Sequence, residues 1–257
     1  MLLTIDIGNT NITYGVFDGE ELRDTWRMAT NVNRMADEYA ALLLNLLQHK
    51  EIKISDLKDI TICSVVPPLT TAFTDISKRY FHITPLMIGA GVKTGVRIHF
   101  DNPKEVGPDR IANAAAAHHL YTGPVIVVDL GTATTFDTIS SEGDWMGGAI
   151  APGIAVASEA LFARTASLPR VELAHPEQAI GTNTVSAMQS GIVFGYVGLI
   201  ENVVAKIQEE LGEKVTVVAT GGYASLLYNE SSVIDAVNPD ITLIGMKLIY
   251  EMNNSQS

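Results

Sequence analysis

Cysteine is almost absent from this sequence, which contains Cys63 alone among 257 residues. A single cysteine excludes an intramolecular disulfide and is typical of a protein from a reducing compartment. Cys63 lies within the apolar run DITICSVVPPL, so we expect a buried thiol and not a nucleophile. These features indicate a cytoplasmic protein that is stabilised by apolar cores.

Clusters of basic residues are also missing. Lys and Arg number 17 against 29 Asp and Glu, which gives a net charge of −12. This balance excludes the basic surface of a nucleic-acid-binding protein, so no nucleic-acid partner is expected. An acidic protein that binds anions must do so locally, through backbone N–H groups, helix N-termini or metal ions.

Several targeting and cofactor signals are absent as well. The longest apolar stretch, SGIVFGYVGLIENVVAKI, is interrupted by Glu201, and the N-terminus lacks the basic start of a signal peptide, so no membrane partner is expected. The six histidines have no zinc-site spacing. The segment GAGVKTG, at 89–95, lacks the spacing of a P-loop and is predicted to be a loop.

An acidic strand–turn motif, TIDIGNTNITYGVFDG, is present at residues 4–19. Its alternating apolar residues and its Gly8-Asn9 pair predict a β-hairpin. A hairpin leaves Asp6 unexplained, because a carboxylate in a buried strand loses hydration unless donors or cations meet it. A phosphate group with its Mg²⁺ ion would supply that partner.

The motif occurs twice. Residues 125–139, VIVVDLGTATTFDTI, repeat the order of apolar strand, acid, glycine turn and second strand, with Asp129 nearly half the chain length after Asp6. A repeat on this scale indicates two related domains, which could face each other across a cleft and hold a nucleoside triphosphate. This arrangement resembles the acetate and sugar kinase, Hsp70 and actin superfamily, whose two phosphate loops read D-x-G-x-T.

Apolar periodicity predicts an α/β organisation in both halves. In the first half, we predict strands at 2–7, 12–17, 22–28, 59–65 and 84–88, and helices at 36–49 and 69–80. In the second half, we predict strands at 125–130, 133–139, 146–150 and 214–219, and helices at 153–165, at 183–211 and from 222. The polar tail after Tyr250 is expected to fray.

A predicted helix, GPDRIANAAAAHHLY, joins the two halves and begins at Pro108. Asp109, in its first turn, has two interpretations: it complements the helix dipole, or it is an anchored carboxylate beside the cation of Arg110. The alanines at 114–117 give the helix a thin face that is suited to close packing.

Glycines mark three further places. Those in GGAIAPG (147–153) and ATGGYA (219–224) allow either a close approach of a ligand to the backbone or a tight turn. In the long helix, Ala187, Gly191, Gly195 and Gly198 share one face, although each glycine costs about 1 kcal/mol relative to alanine. Close packing against a second subunit, or against another helix of the same chain, would offset that cost.

Taken together, these motifs resemble those of one family. DIGNTN, SVVPPL, IGAGVKTG, DNPKEVGPDRIANA, VVDLGTATTFD, GGAIAPG, GTNTVSAMQSG and ATGGYA follow one another over nearly the whole chain, as in type III pantothenate kinases. The resemblance implies an α/β, actin-like duplicated fold of two ribonuclease H-like domains, which we assign to 1–105 and 106–257, with the active site in the cleft between them. It also implies a homodimer and the ATP-dependent phosphorylation of the primary hydroxyl of pantothenate, which begins coenzyme A synthesis.

The resemblance also implies roles for individual residues, with Asp109 as the general base. ATP-phosphate contacts are implied at Asp6, Ile7, Gly8, Asn9, Thr10, Asn11, Ile12, Thr13 and Thr132, with Asp6 facing Mg²⁺. Pantothenate contacts are implied at Phe100, Gly107, Pro108, Asp109, Arg110 and Thr184, and a monovalent cation, K⁺ or NH₄⁺, at Asp129. Phe100 stands where many relatives carry tyrosine; a stacking or shape role would survive that change, whereas a hydroxyl contact would not.

Two other functions stay open at the level of the sequence. One is a different small-molecule kinase or ATPase of the same superfamily. The other is a non-enzymatic transcription accessory factor, a role that has been proposed for relatives of this family. The net charge of −12 and the acids at 6, 109 and 129 argue against the second alternative.

Overall fold

A computed structural model describes residues 1–89 and 91–254, which form two compact units. The first comprises residues 1–96, 101–116 and the chain from Ile241 onward, and the second comprises Arg97–Phe100 and Ala117–Asp240. These units differ from the predicted division after residue 105. The reason is that the chain leaves the first unit within a continuous helix, and a last helix returns to cover the first sheet.

The first unit contains a five-stranded sheet. Its strands are β1 (Leu2–Ile7), β2 (Asn11–Asp18), β3 (Glu21–Ala29), β4 (Asp59–Ser64) and β5 (Leu86–Met87), in the spatial order β3-β2-β1-β4-β5. Neighbours among β1 to β3 are antiparallel, whereas β4 is parallel to β1 and β5 to β4. Its helices are α1 (Ala36–His49), α2 (Pro67–Tyr80), most of α3 (Pro108–Leu120) and α7 (Ile241–Asn254), with 3₁₀ turns at Ile54–Asp56 and Pro103–Glu105.

The second unit has the same plan with one additional strand. Its strands are β6 (Arg97–Ile98), β7 (Val125–Leu130), β8 (Ala133–Ile139), β9 (Asp144–Pro152), β10 (Thr216–Thr220) and β11 (Ala236–Val237), in the order β11-β10-β7-β8-β9-β6. Neighbours among β7 to β9 are antiparallel, whereas β10 is parallel to β7 and β11 to β10. Its helices are α4 (Ile154–Arg164), α5 (Thr184–Leu211) and α6 (Ala224–Tyr228), together with the last residues of α3.

The strand orders of the two sheets are equivalent. In each sheet, the strand that carries the motif acid lies between its own hairpin partner and a parallel strand from later in the unit. The duplicated α/β fold that the repeated motif predicts is therefore confirmed.

Side-chain alternation places the two motif acids on the sheet faces opposite the large apolar cores. Ile5 and Ile7 of β1 are buried in the core that α1 and α2 cover, so Asp6 points to the other face. In the second unit, Val128 is buried in the core that α5 covers, and Asp129 points to the other face in the same way.

Helices α3 and α7 cross in backbone contact within the first unit. A β-carbon at Gly245 would collide with the carbonyl oxygen of Ala112, so only glycine fits there. Next to this crossing, the Thr242 hydroxyl donates a hydrogen bond to Oδ1 of Asn113 at 2.7 Å. The alanines at 114–117 are also buried, which agrees with the close packing expected of this helix.

The long helix α5 has two contrasting faces. Val193 and Ile200 are fully buried in the core of the second unit. Gly191, Gly195 and Gly198 are exposed, and a β-carbon at any of them would meet no atom within 4 Å. Within the described residues, packing by another helix of the same chain therefore does not explain these glycines.

By length and composition, α5 is also the one helix of residues 1–89 and 91–254 that could cross a membrane. This differs from the expectation that Glu201 interrupts the apolar stretch. A core helix of a globular protein meets the same two criteria, so they are weak evidence for a membrane span.

Most predicted elements match the structure to within about two residues at their ends. The predicted helix from 222 is limited to α6, and β6, β11 and α7 were not predicted as separate elements. Pro67 and Pro68 are predicted to lie between β4 and the next helix, but they are the first residues of α2. The N–H groups of these positions have no partner inside a helix, so proline loses no hydrogen bond there. Strand β5 is confined to two residues. The predicted fraying after Tyr250 is wrong as far as Asn254, because the Asn253 side chain donates to the carbonyl oxygen of Lys93 at 2.9 Å and accepts from its N–H at 3.1 Å. Residues 255–257, and residue 90 of the predicted loop 89–95, lie outside the described residues.

Candidate functional site

The turn between β1 and β2 forms the first candidate site. Asp6 lies beside Thr13 of β2 and Cys63 of β4 in the sheet register and is half-buried. The Gly8 N–H donates to the carbonyl oxygen of Asn11 at 2.9 Å and closes the turn. Residues 9–11 are exposed. The turn therefore presents polar groups to solvent next to a carboxylate that is partly withdrawn from it.

Asp109 lies in the first turn of α3, as predicted. Its Oδ1 accepts a hydrogen bond from the backbone N–H of Arg110 at 2.8 Å. A β-carbon at Gly107 would collide with this same oxygen and would lie 3.7 Å from a methyl group of Val65. The glycine in GPDR therefore provides the space in which the carboxylate lies.

The Asp109 carboxyl has a pKa above its ordinary value. Burial is the main cause, because it removes water from the charged form. The backbone N–H and the positive charge of Arg110 act in the opposite direction and lower the pKa, but they do not cancel the effect of burial. The carboxylate is thus held in position and is a stronger proton acceptor than an exposed aspartate.

Cys63 lies near both Asp6 and Asp109, the two candidate site acids of the first unit. It is fully buried, as predicted, and its thiol is hydrogen-bonded to the side chain of Asp6. Burial, followed by the negative charges of Asp6 and Asp109, raises the pKa of the thiol well above its usual range. The structure therefore brings Asp6 and Asp109 close to one protonated thiol, a contact that the apolar sequence around Cys63 did not indicate.

Asp129 occupies the equivalent position in the second unit, beside Thr220 of the parallel strand β10. A β-carbon at Gly221 would lie 2.6 Å from Oδ1 of Asp129 and 2.7 Å from the carbonyl oxygen of Leu130. Gly221 also has a φ of +90°, which strongly favours glycine. The glycines of ATGGYA therefore form a tight turn that leaves space around the carboxylate.

A second glycine allows close backbone packing at the turn after Asp129. A β-carbon at Gly153 would collide with the carbonyl oxygens of Gly131 and Thr132, and the Gly153 N–H donates to the Thr132 oxygen at 3.1 Å. Among the residues that the structure describes, no group of three or more His, Cys, Asp and Glu could hold a metal ion.

The remaining predicted residues of the second unit lie at three different places. Thr132 is exposed in the turn between β7 and β8. Phe100 follows the edge strand β6 and packs edge-on against Trp145, with the ring centroids 4.9 Å apart. Thr184 is the first residue of α5, after an N-cap at Asn183 that accepts a hydrogen bond from Ser186.

Sequence reasoning missed a buried carboxylate in β8. Asp137 is fully buried on the same sheet face as Asp129, and Oδ2 of Asp137 accepts a hydrogen bond from the Thr135 hydroxyl at 3.3 Å. The available signal was the sequence TTFD, in which an acid follows two hydroxyl residues inside a strand.

Comparison of the sequence with known proteins identifies one family. The family model for type III pantothenate kinase matches residues 2–206. A type III pantothenate kinase from Dehalococcoides mccartyi (strain CBDB1) is 57% identical over 252 residues, which cover 98% of this chain and 96% of the relative. Another, from Geobacillus kaustophilus (strain HTA426), is 50% identical over 256 residues, which cover 100% of this chain and 99% of the relative.

Solved structures with the same fold have more distant sequences. A Campylobacter jejuni protein described as a Baf family transcriptional activator has a TM-score of 0.63 and 22% identity, with 98% of this chain and 99% of that chain covered. Acetate kinase from Entamoeba histolytica has a TM-score of 0.55 and 9% identity, with 99% of each chain covered. At these identities, the two structures show the shared fold alone.

The burial of the Asp109 carboxylate allows a prediction of how the stability of the protein depends on pH. Because its pKa is higher in the folded than in the unfolded chain, ionisation opposes folding, and stability is lost as the pH rises through the folded-state pKa. We expect Asp109→Asn to raise the melting temperature at neutral pH, and its advantage over the wild type to shrink in acid. Thermal melts between about pH 4 and about pH 8 test this, with the exposed Asp101→Asn as the control for one lost charge. A lower melting temperature at neutral pH would instead support the helix-dipole interpretation.

Proposed function

Because the chain belongs to the type III pantothenate kinase family, and so phosphorylates pantothenate with ATP in coenzyme A biosynthesis, we propose that Asp109 is the general base of this reaction. An alcohol becomes a nucleophile for phosphoryl transfer when a carboxylate within hydrogen-bond reach accepts its proton. The observation that carries the proposal is the fixed position of the Asp109 carboxylate. Its Oδ1 lies where a β-carbon of residue 107 would otherwise be, and this oxygen accepts a hydrogen bond from the Arg110 N–H.

The environment of Asp109 suits this role. Its raised pKa increases the affinity of the carboxylate for the substrate proton, and the hydrogen bond from Arg110 limits the rotation of the side chain. The Arg110 side chain follows directly and supplies a positive charge next to the base. On the family resemblance, we assign Gly107, Pro108, Asp109 and Arg110 to the binding of pantothenate, whose carboxylate suits the positive charge of Arg110.

The turn from Asp6 to Thr13 is assigned to the phosphates of ATP. This assignment is supported by the half-buried carboxylate of Asp6, which lies beside an exposed turn that a ligand can reach from solvent. Oxygen ligands of this kind suit Mg²⁺, and the ion would neutralise phosphate charge during transfer. A chain with a net charge of −12 needs such local groups, because its overall field repels the nucleotide.

The corresponding turn of the second unit is assigned to a monovalent cation and to a phosphate contact at Thr132. The support is the close packing of oxygen atoms here: a β-carbon at Gly221 would crowd the Asp129 carboxylate and the Leu130 carbonyl oxygen, and one at Gly153 would collide with the carbonyl oxygens of Gly131 and Thr132. Carbonyl oxygens with few negative charges are the ligands that suit K⁺. Asp129 would supply one negative charge to an ion held mainly by the backbone.

Phe100 and Thr184 are assigned to the pantothenate site on the family resemblance. Phe100 lacks the hydroxyl that a tyrosine would offer, and its ring is held edge-on by Trp145. This contact supports a role through the shape of the ring. Thr184 is exposed at the start of α5, where its hydroxyl is accessible to a substrate.

The exposed glycine face of α5 supports a homodimer. The glycines at 191, 195 and 198 incur a helix-propensity cost that no contact within the described chain offsets. Packing of two such faces across a symmetric interface would bury them and explain their presence. The charge of −12 and the single buried cysteine favour a cytoplasmic enzyme without nucleic-acid or membrane partners.

Replacing the base should separate catalysis from stability. Asp109→Asn keeps the shape of the side chain and removes the proton acceptor, so kcat is expected to fall roughly 10²–10⁴-fold with little change in the KM for ATP. Gly107→Ala should also lower kcat, because the new β-carbon displaces the same oxygen. A coupled assay of ADP release with and without pantothenate measures both, with Asp101→Asn as the control. A kcat near that of the wild type in Asp109→Asn would end the assignment.

Activity should require Mg²⁺ together with a K⁺-like ion. In wild-type protein, replacing K⁺ by Na⁺ or choline is expected to abolish most turnover. Asp129→Asn removes a charged ligand and should raise the K⁺ concentration for half-maximal activity at least about tenfold. Turnover measured over a K⁺ titration gives both results, and full activity in choline buffer would show that Asp129 has another role.

The glycine face can be tested without disturbing the fold of the chain. Gly195 is exposed and a β-carbon there would meet no atom within 4 Å, so we expect the isolated chain of Gly195→Leu to fold normally. If the face is a dimer interface, the variant should become monomeric by light scattering and lose activity, whereas Gly195→Ala should keep both properties. An unchanged, fully active dimer with leucine at 195 would contradict the proposed interface.

A further inference from the structure

Thr30 contacts the candidate phosphate turn through two separate groups. It follows the last residue of β3, and its hydroxyl donates a hydrogen bond to the carbonyl oxygen of Gly8 at 2.7 Å. Its backbone N–H donates to the carbonyl oxygen of Thr10 at 2.9 Å. One residue from outside the hairpin therefore holds two peptide groups of the turn.

These two bonds also fix the direction of the neighbouring N–H groups. A trans peptide carries its C=O and its N–H on opposite sides, and the described chain contains no cis peptide. With the carbonyl groups of Gly8 and Thr10 directed at Thr30, the N–H groups of Asn9 and Asn11 point away from it. Backbone N–H groups that a turn holds in a fixed direction are donors that can bind phosphate oxygens.

The segment that carries Thr30 is itself attached to the core. The next residue, Asn31, donates its N–H to the Tyr39 hydroxyl at 2.9 Å, and this hydroxyl donates to the Asn31 carbonyl oxygen at 3.1 Å. The ring of Tyr39 is fully buried against Phe73, with the centroids 5.1 Å apart. A rigid side chain of α1 thus supports the position of Thr30.

We propose that Thr30 is a positioning residue that holds the turn of residues 8–11 in the shape that binds the phosphates of ATP, and that Tyr39 supports it from the core. The inference rests on the proposed role of the Asp6–Thr13 turn in ATP binding. Thr30 itself has no contact with the reacting groups in this proposal. It acts by making the turn ready before the nucleotide arrives, which lowers the cost of ordering the turn on binding.

The test uses Thr30→Val, which keeps the shape of threonine but removes the hydroxyl, and Thr30→Ser, which restores the donor. Thr25→Val is the matched control, because Thr25 is an exposed threonine of β3, the strand that Thr30 follows, and it pairs with Gly15, away from the turn. We expect the Kd for Mg²⁺–ATP to rise roughly three- to tenfold in Thr30→Val, as for one lost hydrogen bond. Thr30→Ser and Thr25→Val should stay within about twofold of the wild type.

Two further readouts separate positioning from a general loss of stability. In nucleotide-free protein, amide hydrogen exchange over residues 8–11 should become faster in Thr30→Val, and the KM for pantothenate should stay close to that of the wild type. Tyr39→Phe, which removes only the supporting hydroxyl, should weaken ATP binding in the same direction, and it replaces Thr30→Val if that variant does not fold.

The experiment distinguishes failure of this inference from failure of the function on which it rests. Asp6→Asn should weaken Mg²⁺–ATP binding if the turn binds ATP at all. Weakened binding in Asp6→Asn with unchanged binding and exchange in Thr30→Val would overturn the role of Thr30. Unchanged binding in both would overturn the ATP assignment of the turn as well.

Discussion

The placement of an acid at the end of a central strand is the constraint on which both units depend. A carboxylate there is too withdrawn from water to be solvated fully, so the neighbouring strands must supply polar partners. The register of the first sheet places Cys63 next to Asp6, and that of the second places Thr220 next to Asp129. The same backbone arrangement thus yields a thiol donor in one unit and a hydroxyl neighbour in the other, so the surroundings of the two acids differ chemically.

Missing β-carbons provide the space that these acids require. At Gly107 a side chain would collide with Asp109, and at Gly221 one would crowd Asp129. The two glycines differ in kind, because Gly221 also needs a positive φ, whereas Gly107 is required for space alone. Any other residue at either position would therefore displace an acid through direct contact, although the acid itself is unchanged.

Much of the fold could be predicted from the sequence because it depends on local periodicity. The repeated acid–glycine turns and the alternating strands gave β1, β7 and β8 with their observed bounds. Contacts between distant segments could not be predicted in this way. Nothing near Thr30 marks it as a partner of Gly8, and the return of α7 to the first sheet leaves no local pattern. The predicted boundary at 105 and the predicted fraying after Tyr250 both differ from the structure because of this return.

The packing of α7 on β1, β2 and β4 has a consequence for the order of folding during synthesis. Leu243 lies against Gly15, Lys247 is buried between Glu20 and Glu251, and Tyr250 donates to Asp59 at 2.5 Å. The ribosome makes β1 first but makes α7 only after the entire second unit. One face of the strand that carries Asp6 must therefore wait, uncovered, while more than half of the chain is translated. The nascent chain therefore leaves this face open to non-native association throughout that interval, and the first unit is complete only when α7 has emerged.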